Sequence, residues 1–168
     1  MNKHLEIERK FLVDMEKLLE FDEYNVIPYD VGYEIRQGYI NDGLKTVRIR
    51  TNGKTGYITI KGPKFGTSCF EAEYDIGLEE ANTIIDTLDL PVVEKIRCEI
   101  NNEGHLWELD WFFGDNKGLL VAEIELTSED EDFALPEWIG IEVTGDAKYY
   151  NSNLIDNPYK DWDEFNEI

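Results

Sequence analysis

Apolar and polar residues alternate with a period of two along most of this chain, the signal of strands that bury one face. Eight segments read this way, near residues 4–12, 31–41, 44–52, 55–62, 68–77, 92–101, 104–113 and 119–128. Turn residues separate several of them: Asn41-Asp42-Gly43, Asn52-Gly53, Asn101-Asn102-Glu103-Gly104 and Gly114-Asp115-Asn116. Connections this short predict antiparallel hairpins. Three stretches carry helical spacing instead. Asp14 to Phe21 has Asp14 as its N-cap. Leu78 to Leu88 places Leu78, Ala81, Ile84, Ile85 and Leu88 on one side and is stopped by Pro91, and Ala147 to Ile155 is the third. No repeat or Pro/Gly/Ser-rich linker divides the 168 residues, so one domain spanning 1–168 is expected.

The polar positions of these strands are mostly charged. Side chains at i and i+2 share a face, roughly 6–7 Å apart. The first strand sets Glu6, Glu8 and Lys10 opposite Leu5, Ile7 and Phe11. The third sets Arg48 and Arg50 opposite Val47 and Ile49, and the fourth Thr59 and Lys61 opposite Ile58 and Ile60. The fifth carries Glu71 and Glu73, the sixth Lys95 and Arg97, the seventh Glu108 and Asp110, the eighth Glu123 and Glu125. On any one strand this is an ordinary solvated face over an apolar core. Repeated over seven strands, mostly like with like, it is not, because neighbouring like charges on a sheet repel with nothing gained. A sheet curled into a barrel, charged faces inward and apolar faces outward under helices such as 78–88, accommodates the series. A lipocalin-like carrier would need the opposite, an apolar interior.

Charge composition sharpens this. The chain carries a net charge of −21, which argues against a nucleic-acid or anionic-membrane surface. Its 16 Lys and Arg matter only through their placement. In the barrel, Lys10, Arg48, Arg50, Lys61, Lys95 and Arg97 gather inside, so an acidic protein can still hold a polyanion. Enclosed charges cost several kcal/mol each (an order of magnitude) unless paired, hydrated or bound to metal. Paired carboxylates supply hard oxygen ligands for Mg²⁺ or Mn²⁺, and Arg/Lys doublets supply donors for phosphate oxygens. Together they point to a metal–polyphosphate complex.

Other residues limit the chemistry. His4 and His105 have no zinc-like spacing with Cys69 and Cys98. The two cysteines suit a reduced, cytoplasmic setting. Nothing in the first ten residues resembles a secretory apolar region, and no apolar run is long enough for a membrane span. Trp107, Trp111, Trp138 and Trp162 are expected in outer-face packing or helix contacts, and Glu108 as the partner of a cation. Lys61-Gly62-Pro63 reads as a turn, not a phosphate loop.

From Glu6-x-Glu8-x-Lys10 onward the chain resembles the CYTH family, also called the triphosphate tunnel metalloenzymes. Val47-Arg48-Ile49-Arg50, Thr59-Ile60-Lys61, Glu71-x-Glu73, Lys95-x-Arg97, Glu108-x-Asp110 and Glu123-x-Glu125 complete the ordered set. The resemblance implies a mostly β, α+β fold: a closed eight-stranded antiparallel β-barrel, a tunnel with a charged interior and helices packed outside. It also implies metal-dependent hydrolysis of a triphosphate with Mg²⁺ or Mn²⁺. By the same resemblance Lys10, Arg48, Arg50, Lys61, Lys95 and Arg97 bind phosphates, and Glu6, Glu8, Asp110, Glu123 and Glu125 bind metal. Glu71 and Glu73 would hold a second metal or orient water, and Glu6, Glu8 and Lys10 stand at the reaction. Gln37-Gly38-Tyr39-Ile40, Trp138-Ile139-Gly140 and Val143 to Asn151 are similar to the small bacterial tripolyphosphatases. In that group's pattern Tyr39 and Lys148 reach the substrate from a lid, against ordinary packing for Tyr39 and an exposed helix start for Lys148. Alternatives are a class IV adenylyl cyclase and a polyphosphate- or nucleotide-binding module without turnover. The expected partner is the triphosphate, without nucleic acid or membrane, in a monomer or homodimer.

Overall fold

All eight alternating segments form strands, because each has one face to bury and one to keep polar. They are β1 (Leu5–Val13), β2 (Tyr33–Asn41), β3 (Thr46–Thr51), β4 (Gly56–Phe65), β5 (Ser68–Asp75), β6 (Val92–Asn102), β7 (His105–Phe112) and β8 (Leu120–Leu126). The structure, a computed structural model, describes residues 5–21, 31–41, 45–65 and 68–162; the side chains of residues 5, 6, 41, 63–65, 68 and 69 lie outside that description. His4 therefore lies outside the described residues.

A ninth strand, β9 (Ile139–Glu142), was not expected, since four residues carry too little alternation to be read. The strands form one nine-stranded sheet in the order β5-β4-β3-β2-β6-β7-β8-β1-β9, not an eight-stranded closed barrel. The reason lies at β1, which has two edges and three partners. β8 runs along Ile7–Leu12 on one edge. The other is shared: β5 meets Leu5, Glu6 and Ile7 through Phe70, Cys69 and Ser68, and β9 meets Phe11 and Val13 through Glu142 and Ile139.

The apolar faces are covered from two sides. Helix α1 (Met15–Phe21) brings Leu18 onto Ile7, Phe11, Cys98, Trp107, Leu109, Ala122 and Ile124 beneath Trp138. Asp14 begins that helix as expected, its Oδ1 accepting from Lys17 N at 3.2 Å. Helix α2 (Leu78–Thr87) lays Ala81 and Ile85 on Ile49. Gly56 permits that approach, because a Cβ there would stand 2.2 Å from the Gly77 carbonyl oxygen. The expected helix 147–155 forms only the 3₁₀ turn Ala147–Tyr149 before giving way to turns. Asn153 Nδ2 donates to the Ala147 carbonyl at 2.9 Å, taking an acceptor that a continuing helix would use. No helix among the described residues is long and apolar enough to cross a membrane.

His105 occupies a strand edge, its Nε2 3.1 Å from Glu131. Glu131 also accepts from Thr127 Oγ1 at 2.6 Å, and hydrogen bonding to Thr127 leads the causes that hold its carboxyl down at about 2. A depressed acid binds fewer protons folded than unfolded, so its stabilisation is complete above the ordinary carboxyl range and is lost as pH falls toward 2. The melting temperature of Glu131→Gln should lie below wild type at pH 6 and converge with it near the acid limit. A pH-independent gap in paired thermal melts would refute this.

Candidate active site

Cross-strand partners share a face, so the registers decide which charges meet. β1 pairs Lys10 with Glu123 and Glu8 with Glu125. β6 pairs Arg97 with Asp110, and β7 pairs Glu108 with Glu123. β3 pairs Arg48 with Thr59, and β4 pairs Thr59 with Glu73 and Lys61 with Glu71. The doublets thus lie on one face, as expected from the sequence, in two groups.

The first group spans β1, β6, β7 and β8. Arg97 Nε and Nη2 donate to Asp110 Oδ1 and Oδ2 at 2.7 and 2.6 Å, a two-pronged grip. Its Nη2 also reaches Glu123 at 2.9 Å, and Nη1 pairs with Glu108, the cation partner expected for that residue. Lys95 pairs with Asp110, and Lys10 Nζ lies 2.7 Å from Glu123 and donates to the Tyr149 carbonyl at 3.3 Å. Lys10, Lys95, Arg97 and Asp110 are all buried.

Burial and partner charge pull these groups in opposite directions. For Lys10 burial disfavours the cation, yet Glu123 and Glu8 outweigh it and raise its pKa. For Lys95 burial wins over Asp110 and brings the ammonium down to about 8. Burial works against ionised Glu123 too, but Lys10, Arg97 and Lys95 hold it well below the carboxylate range. Glu108 is pushed up, by burial first, against the pull of Arg97.

The second group spans β3, β4 and β5. Arg48 Nη2 stands 3.2 Å and Arg50 Nη2 3.1 Å from Glu73 Oε2, and Lys61 Nζ 2.6 Å from Glu71. Thr59, fully buried, donates to Glu73 at 2.7 Å and accepts from Arg48 at 3.1 Å. Glu71 and Glu73, expected at a second metal or a water, are here the counter-charges of this cation set. Thr59 is a site member that the charge pattern did not single out, because a hydroxyl carries no charge. Its place between Arg48 and Glu73 appears only in the register.

β2 lies between the two groups. Gln37 and Tyr39 share the charged face, paired with Arg50 and Arg48. Tyr39 meets the packing expectation. Its ring is buried among Val93, Phe112, Val121, Tyr149, Leu154 and Trp162, and burial pushes its hydroxyl up to about 12 against the opposing effect of Arg48, Lys61, Lys10 and Arg50. Trp162 packs edge-on against Tyr149 and Tyr159 of two 3₁₀ turns, the helix contact open to it, whereas Trp107 and Trp138 are fully buried in the outer layer. Lys148 stands with Nζ 4.0 Å from the Trp162 ring centroid, a cation–π contact beside that plug.

Among the described residues no three or more His, Cys, Asp or Glu side chains form a ready metal cage. The side chain of Glu6 lies outside the description, and its backbone pairs with Cys69. Glu8 and Glu125 are direct cross-strand partners. Such like-charge pairing is unfavourable by itself, and a hard divalent cation offsets it with oxygen ligands.

A face that sets buried Arg and Lys against paired carboxylates defines a polyanion site, and the comparisons place it in a family. Residues 4–154 match the CYTH domain, and the chain belongs to that family. It is 48% identical over 161 residues to an inorganic triphosphatase of Acetivibrio thermocellus, covering 95% of this chain and 98% of the relative. An inorganic triphosphatase of Nitrosomonas europaea is 34% identical over 154 residues, covering 89% and 95%. A solved inorganic triphosphatase structure superposes with a TM-score of 0.60 at 32% identity, over 89% of this chain and 93% of its own. A putative adenylate cyclase from Bacillus halodurans shares the fold at 24% identity and a TM-score of 0.56, over 77% and 84%.

Removing one member of a buried pair strands the other charge. Arg97→Met should lower the unfolding free energy by about 3 kcal/mol, the low end for a buried pair because Lys95 still faces Asp110. The exposed Arg9–Glu142 pair, with side chains 33% and 37% exposed, should cost under about 1 kcal/mol as Arg9→Met. Urea unfolding of both variants gives the comparison, and equal losses would refute it.

Proposed function

We propose that this chain hydrolyses a triphosphate, inorganic tripolyphosphate above all, to diphosphate and phosphate in a tunnel formed where the nine-stranded sheet curls its charged face inward. The observation that carries this reading is the convergence of Lys10, Arg48, Arg50, Lys61, Lys95 and Arg97 with carboxylates on one largely buried face. The 48% identical relative named inorganic triphosphatase supports the choice of substrate. β5 meeting β1 over Leu5–Ile7 supports the tunnel, with β9 taking the rest of that edge.

The residues present suit a divalent cation. Glu8 and Glu125 supply paired hard oxygens, and Glu6, Asp110 and Glu123 the rest of the proposed set. Mg²⁺ or Mn²⁺ held by one or two carboxylates and by substrate oxygens would neutralise phosphate charge and acidify a water. Glu71 and Glu73 are assigned the placing of that water or of a second cation.

The cations do the remaining work. Arg48, Arg50 and Lys61 on one side and Lys95 and Arg97 on the other grip the triphosphate from both walls. Water oxygen attacks the terminal phosphorus, the bond to the bridging oxygen breaks, and that oxygen leaves with the diphosphate. The proton of the water passes to phosphate or solvent. Glu123 and Glu8 raise the Lys10 pKa over the effect of burial, which favours a cation beside the reacting group. Lys148 and Tyr39 close the plugged end of the tunnel.

Phosphate release from tripolyphosphate with Mg²⁺ or Mn²⁺ tests this. Arg50→Ala and Glu125→Gln should each lose about 10²–10³ in kcat/KM, as removal of a charge-stabilising group does. Unchanged rates in both would sink the site. With ATP, ADP and phosphate are expected; cyclic AMP with pyrophosphate would indicate a cyclase. Metal-dependent binding without product would indicate a binding module.

A further inference from the structure

Gln37 on β2 is fully buried, and neither its amide nitrogen nor its amide oxygen has a hydrogen-bond partner among the described residues. The result is the same whichever way the amide is turned. A buried polar group left unmade costs roughly 1–3 kcal/mol, so two on one side chain are a substantial defect. Its cross-strand partner is Arg50, whose Nε is also buried without an acceptor. Two adjacent side chains therefore present N–H donors that nothing among the described residues accepts, on the face that gathers the cations.

β2 separates the two charge groups in the sheet, with β3 on one side and β6 on the other. A charged residue at Gln37 would join one group or repel the other. An uncharged amide adds a donor and an acceptor without disturbing either. An anion between the walls would meet Arg50 Nε–H and the Gln37 amide together.

Resting on the triphosphate reading above, we propose that Gln37 contacts the bound substrate directly. Its Nε2–H and Arg50 Nε–H donate to one phosphate oxygen, while its Oε1 accepts from a water beside that phosphate. Gln37 is thus a substrate-binding residue that discriminates for an anionic, oxygen-rich group at this point of the tunnel.

Gln37→Met keeps the shape and removes both polar atoms, and Gln37→Glu keeps an acceptor, loses the donor and adds repulsion. The probe is inorganic tripolyphosphate in the presence of EDTA, read as a thermal shift, with steady-state phosphate release under Mg²⁺ in parallel. Gln37→Met should melt at or above wild type without ligand, because its buried unmade bonds are gone, yet bind tripolyphosphate roughly 10-fold or more weakly. KM should rise more than kcat falls, and Gln37→Glu should be weaker still. Binding by Gln37→Met equal to wild type would overturn the proposal. So would a ligand-free melting point that drops together with binding, the signature of a packing residue. A wild type that neither shifts with tripolyphosphate nor releases phosphate would sink the triphosphate reading and this proposal with it. A responsive wild type matched by an equally responsive Gln37→Met overturns the role of Gln37 alone.

Discussion

The grip of Arg97 on Asp110 is the interaction on which the rest of this interior depends. One guanidinium from β6 holds Asp110 and Glu108 of β7 and Glu123 of β8, so carboxylates from two neighbouring strands share one cation. Without it, Glu108 and Glu123 would face each other directly across the sheet with too little to offset them. Lys10 and Lys95 complete the arrangement, but each reaches fewer carboxylates through a single point charge, whereas Arg97 forks.

An interior built this way carries a thermodynamic burden. Buried ion pairs return little net stability, because desolvation consumes much of the attraction. The stability has to come from elsewhere, and here it comes from the other side of the sheet. Trp107, Trp138, Phe11 and Ile124 under α1, and Ile49 under Ala81 and Ile85 of α2, form apolar layers that the charged face does not interrupt. The sheet therefore divides labour by face: one holds the fold, the other holds charge ready for a ligand. Gln37 and the Nε of Arg50 remain unmade within this ready state, and residues kept for a ligand leave such gaps.

Much of this was legible in the sequence, and the exceptions have particular causes. The eight long alternating segments all became strands, since period-two burial extends over enough residues to be read. Residues 139–142 were missed because four residues show no period, and because what makes them a strand is the vacant half of the β1 edge. Residues 147–155 have helical spacing but contain Asn153, whose side chain takes the Ala147 carbonyl. Among site residues, the charged doublets were visible by type and spacing. Thr59 stands out in the sequence only as a face position and in a family motif, and Gln37 only through a family likeness, because an uncharged polar residue on a strand is unremarkable until its neighbours are known.

The sequence by itself determined the faces. Alternation is local, each residue's side being set by its distance of one or two from the next, so which side chains turn to the charged face follows from the string alone. Only the tertiary structure decided which charges meet. Pairing of β1 with β8, of β6 with β2, and the placing of β2 between two cation groups are long-range choices made by the burial of apolar faces elsewhere. Those choices couple Lys10 to Glu123 and Arg97 to Glu123, which no local pattern brings together, whereas Arg97–Asp110 and Gln37–Arg50 meet within the hairpins β6–β7 and β2–β3.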